Sequence, residues 1–95
     1  MTKKEAYLKK LNAKLDEWDA EINALKAKIS SASADAQIQL QKQISELESE
    51  RNEMKQKYSE LKASTEDAWE DIRDGMESAW DRVSDSFKSA SDRFR

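Results

Sequence analysis

Glu46 with Glu50, and Glu70 with Asp74, stand about one helical turn apart, a spacing at which two carboxylates can share a proton or hold a hard cation. Either chemistry needs burial or a fixed charge partner to shift a pKa. The neighbours on adjacent turns are Lys and Arg residues on faces expected to be wet, where such pairs add about a few tenths of a kcal/mol to helix stability. The 95-residue chain has no Cys and no His. Disulfides, thiolate metal sites, thiol nucleophiles, the commonest metal ligand and the usual neutral-pH proton shuttle are therefore closed to it. A glycine-rich phosphate loop and a nucleophile-base-acid set are also missing from the sequence. These observations predict a non-enzyme with no cofactor, no metal and no small-molecule substrate.

The elements that carry these side chains follow from composition. One Gly, no Pro and 7% aromatic residues exclude a turn-rich β-sandwich or barrel. Hydrophobic residues at 37% against 39% charged residues supply too little apolar surface for an ordinary globular core. The expectation is an all-α, elongated protein of long coiled-coil helices. Charge runs from +2 over residues 1–33, through −1 over 34–65, to −4 over 66–95. No concentrated basic surface is available to displace phosphate counterions, so nucleic acid is not an expected partner. Lys9 and Lys10 interrupt the start before an apolar signal segment can form, and no stretch approaches the roughly 20 apolar residues that span a bilayer. A cytoplasmic location is expected on these grounds.

Residues 1–62 read as a heptad segment. Leu8, Leu11, Leu15, Trp18, Ile22, Leu25, Ile29 and Ala32 alternate spacings of three and four. The stripe is narrow and needs a partner helix to cover it. Trp18 reads as a large knob opposite a small residue such as Ala32 or Ala36. The serine- and alanine-rich run from Ser30 to Ala36 follows Lys26 and Lys28 as a helix end would, but contains no obligatory turn residue. Through Ala36, Leu40, Ile44 and Leu47 the seam continues with a stutter, so the pattern favours an unbroken helix, with a hairpin at 30–33 as the alternative. Leu47, Met54, Tyr58 and Leu61 extend the seam. Arg51 occupies one of its positions, where a cation either steers register or extends its head to water; the second is expected.

Residues 63–95 form an amphipathic segment with an eleven-residue repeat. Asp67-Ala-Trp-Glu-Asp-Ile-Arg-Asp-Gly-Met-Glu aligns with Ser78-Ala-Trp-Asp-Arg-Val-Ser-Asp-Ser-Phe-Lys, and Ser89-Ala-Ser-Asp-Arg-Phe-Arg is an incomplete third copy. Eleven residues make nearly three whole turns, so the stripe barely drifts. Trp69, Ile72, Met76, Trp80, Val83, Phe87 and Phe94 share one narrow sector flanked by Ala68, Ala79 and Ala90. Gly75 either admits a close helix or marks a soft point. Ser64 and Asp67 stand at capping-box spacing, which places a possible break at 63–65.

The repeat resembles those of exchangeable apolipoproteins and other lipid-surface helices, a likeness that implies reversible binding to a lipid interface. The whole chain, with Leu/Trp heptads followed by the paired Ala-Trp repeat and Arg93-Phe94, resembles small bacterial predicted coiled-coil proteins of unknown function. That resemblance implies helices and no assigned activity. The resulting expectation is a structural or scaffolding coiled coil, about 140 Å long if unbroken, that self-associates as a homo-oligomer. A peripheral lipid- or membrane-surface-binding helix protein is the alternative, and a three-helix bundle broken near Ser31 and Ser64 the third.

Overall fold

The chain folds into three helices arranged up, down and up: α1 (Lys3–Lys28), α2 (Ala34–Ala63) and α3 (Trp69–Arg93). The computed structural model describes residues 1–94. Helices α1 and α2 start where a hydroxyl satisfies orphaned amides, whereas Ala68, the N-cap of α3, provides no side-chain cap. The Thr2 hydroxyl accepts from Glu5 N at 3.1 Å while the Glu5 carboxylate accepts from Thr2 N, a reciprocal capping box. Ser33 Oγ accepts from Ala36 N at 3.3 Å at the start of α2. Within the turn ahead of α3, Thr65 Oγ1 accepts from Ala68 N at 3.3 Å, so neither Thr65 nor the Ser64 that the spacing predicted caps the helix itself. Ser64 Oγ instead donates back to the Leu61 carbonyl at 2.5 Å.

The unbroken helix favoured at 30–33 is not formed. A short 3-10 turn, Ile29–Ser31, ends α1, and Ala32 and Ser33 take extended backbone before α2 begins. The physical reason is local and global together. This run carries the weakest apolar series in the chain, so a break there forfeits little seam. Folding back covers the stripes within one molecule, without the loss of translational freedom that association imposes. Gln37 Nε2 then donates to the Ile29 carbonyl at 2.9 Å and to that of Ala32 at 3.3 Å, satisfying the freed acceptors. A second break spans residues 64–68, and α3 runs unbroken through Gly75.

The bundle measures 51 × 21 × 19 Å, in place of a rod about 140 Å long. Its radius of gyration of 15.4 Å exceeds the roughly 12 Å of a compact domain of this length, so the elongated character stands. The core is a single column of side chains from all three helices. Leu11, Leu15, Trp18, Ile22 and Leu25 enter it from α1, Leu40, Ile44, Leu47, Met54 and Leu61 from α2, and Trp69, Met76, Val83, Phe87 and Ala90 from α3. Fully burying one large apolar side chain contributes roughly 1.5–3 kcal/mol, so the column is the main source of stability.

Gly75 lies on the exposed face, its φ is not positive, and a Cβ there would meet nothing within 4 Å. It admits no neighbouring helix, and its only effect is the entropic penalty of glycine in a helix. Gly75→Ala is therefore expected to raise stability by about 0.5–1 kcal/mol in urea unfolding. A destabilised variant would show that the glycine has a packing role.

Candidate interaction surface

The structure brings the two predicted stripes together. Leu8, Ile29 and Tyr58 from the heptad segment, and Ile72, Trp80 and Phe94 from the repeat segment, pack half-buried against the column formed by the other predicted residues. The partner that covers each stripe is here another helix of the same chain. Trp18 does not sit opposite Ala32 or Ala36. Its ring stacks on Phe87 at 4.9 Å with planes 8° apart and lies 4.7 Å from Trp80, so an α1 indole is wedged between two aromatic residues of α3. Such offset aromatic contacts add about 0.5–1.5 kcal/mol beyond the area they bury.

Polar groups fix the register. Arg51 Nη1 donates to Asp19 Oδ1 at 3.1 Å with its side chain only 19% exposed, and Lys55 reaches the other oxygen of Asp19 at 3.3 Å. The expected escape of Arg51 to water is thus replaced by the first alternative, an ion pair across α1 and α2. It has a cost: Arg51 Nε and the neighbouring Glu50 Oε2 are buried without a hydrogen-bond partner, and such groups typically cost about 1–3 kcal/mol each. Lys26 pairs with Glu48 at 3.1 Å, and Arg82 with Glu53 at 3.4 Å, linking α2 to each neighbour. The ends of α1 are also tied, since Lys4 Nζ donates to the carbonyl of Ser64, the C-cap of α2, and Lys28 Nζ to that of Phe94, the C-cap of α3.

Helix α2 packs along both neighbours, whereas α1 and α3 touch each other least. Trp18 bridges the two through Trp80 and Phe87, and the small side chains Ala20, Ala24 and Ser91 line the depression beside it. Two depressions result, of about 420 and 320 Å³, sharing Glu17, Glu21 and Ser91 in their walls. Together they make a trough from Lys14 to Lys28 on α1, about 21 Å at the helical rise. It is lined by Trp18, Ala20, Ala24, Leu25 and Phe87 and by side chains of both charges: Lys14, Glu17, Glu21 and Lys28 on α1, Lys88 and Asp92 on α3. Sequence reasoning missed the trough because its width depends on which α3 residues meet Trp18.

The carboxylate pairs do not converge on a cation site. Among the described residues no group of three or more metal-ligating acids is present, and Asp74 takes the Arg73 guanidinium at 3.0 Å. Arg73 lies 5.0 Å above the Trp69 ring and 5.9 Å above that of Tyr7, whose rings are 6.1 Å apart. The hydrogen bond to Asp74 holds the guanidinium above its ordinary pKa. No helix of the described residues is long and apolar enough to cross a membrane. Comparison with protein-family models, curated proteins and solved structures finds no match for this chain.

Burial pushes the Tyr7 phenol above its ordinary 10.0, and the Glu77 carboxylate adds to the shift while Arg73 opposes it. A raised folded pKa means that the phenol's contribution to stability is complete below its unfolded value and lost as pH rises through the folded one. The ultraviolet titration difference between the wild type and Tyr7→Phe is expected to show a phenol ionising above 10.0. Ionisation at or below that value would place Tyr7 in water.

Proposed function

We propose that the chain is a non-catalytic structural module acting through helix-helix association, with the trough between α1 and α3 as the contact and a second copy as its occupant. The trough carries this reading. A three-helix bundle with two adjacent helices in sparse contact lacks one element of a four-helix arrangement, and helices pack at about 8–10 Å when small residues face each other. Ala20 and Ala24 allow that approach. A lining of mixed sign suits a helix that itself carries interleaved Lys and Glu, as the outer faces of this protein do. A scaffolding role goes with this reading, supported by the charged surface.

The lipid-surface alternative has less support. The aromatic stripe of α3 faces the core, and the large apolar side chains exposed among the described residues are Met1 at 84% and Ile38 at 66%. Lipid binding through Trp69 and Trp80 would require α3 to leave the bundle.

The test is sedimentation equilibrium of the wild type and of Ala20→Glu with Ala24→Glu, with Trp emission recorded with and without anionic phosphatidylglycerol vesicles. Both positions are exposed, so stability should change by no more than about 0.5 kcal/mol per substitution. The expected result is reversible association of the wild type, weakened at least about tenfold in the double variant, equivalent to about 1.4 kcal/mol. Equal association of both proteins, or a wild type that stays monomeric at millimolar concentration, would reject the trough. A blue shift of Trp emission confined to vesicles would favour the lipid alternative.

A further inference from the structure

We propose that residues 29–33 are an exchange hinge, through which α1 of one copy leaves its own bundle and takes the equivalent place on α2 and α3 of a second copy. The surface used is the buried face of α1, distinct from the trough, and the proposal stands without the trough.

The backbone carries the argument. Lys28 (φ −79°, ψ −16°) and Ile29 (φ −60°, ψ −44°) are already helical, and Ser30 and Ser31 lie in the 3-10 turn. Only Ala32 (φ −88°, ψ 155°) and Ser33 (φ −64°, ψ 163°) are extended. No residue of the turn is a glycine or a proline and none has a positive φ, so rotation of ψ at two positions converts the turn into helix. Across that junction Leu25, Ile29, Ala32, Ala36 and Leu40 keep spacings of three and four, so the straightened helix presents one continuous seam. The acceptor that Gln37 satisfies in the hairpin, the Ile29 carbonyl, would receive the Ser33 amide in a continuous helix. The second turn is less free to straighten, because Lys4 holds the Ser64 carbonyl.

Exchange preserves what α1 contributes. Trp18 would sit between Trp80 and Phe87 of the second copy, and Asp19 would meet that copy's Arg51 and Lys55, so the two states differ only at the hinge and in translational freedom. Concentration therefore selects between them. The exchanged dimer contains a helix from Lys3 to Ala63 about 90 Å long, against the 51 Å of the single bundle.

Two substitutions push the hinge in opposite directions. Ala34→Pro keeps the hairpin, since proline suits the first position of α2 and the preceding Ser33 is already extended, but it obstructs a continuous helix. Ser33→Ala removes the cap from the hairpin and favours helix. Each protein is unfolded, refolded at millimolar and at micromolar concentration, and followed by sedimentation velocity and small-angle X-ray scattering. The wild type is expected to yield a dimer of about 90 Å maximum helix length only from concentrated refolding. Ser33→Ala should raise the dimerisation constant about thirtyfold, from two lost caps per dimer, and Ala34→Pro combined with Ala20→Glu and Ala24→Glu, which remove the trough contact, should remain a folded monomer. Ala20→Glu with Ala24→Glu should leave this dimer intact. Monomers alone from both the wild type and Ser33→Ala, or a dimer that survives Ala34→Pro in the Ala20→Glu, Ala24→Glu background, would overturn the hinge; survival there would assign association to a third surface.

Discussion

The fold depends on covering a narrow apolar stripe that a lone helix leaves in water. Most helical stability in a folded chain comes from packing an amphipathic face, and here each of the three faces is too thin to bury itself. Two reversals of direction bring them together in one column, with Trp18 lodged between Trp80 and Phe87 at its middle. The open side of the bundle lies next to the same wedge. Trp18 is the large α1 side chain reaching α3 there, and the small Ala20, Ala24 and Ser91 beside it line a trough that they do not fill.

Around the column, charge decides register more than stability. Exposed ion pairs such as Lys26 with Glu48 contribute about 0–1 kcal/mol. Asp19, by accepting both Arg51 and Lys55, discriminates among alternatives: sliding α2 by one turn would separate the pair and leave a guanidinium that is only 19% exposed without its carboxylate. A uniformly apolar seam would have no such preference. The two buried atoms without partners beside it mark the stability forgone for that specificity.

The apolar positions could be read from the sequence because helical period encodes which face is buried, so Leu11, Ile22, Met54, Val83 and their neighbours were identifiable without a fold. The turn at 29–33 was not decidable in the same way. Ser33 is a good cap, but Ser30 to Ala36 is equally acceptable inside a helix, and the deciding term is the distant pairing of α1 with α2. Ala90 is buried because Trp69, Met76, Val83 and Ala90 recur at seven residues, a period masked by the more conspicuous repeat of eleven. The Thr2 and Glu5 capping box is legible in its spacing alone. The candidate surface was the least legible part, because a trough is defined by residues that do not touch and no local pattern records a gap.

The central claim is that this chain covers its own stripe, and the concentration dependence of its thermal unfolding in dilute solution tests that most directly. Far-ultraviolet circular dichroism from nanomolar to low micromolar protein should give one cooperative transition with an unchanging Tm, because no partner is released on unfolding. A Tm that climbs steadily with concentration, or loss of helix on dilution at low temperature, would contradict the account and show that a second chain is needed to form the core.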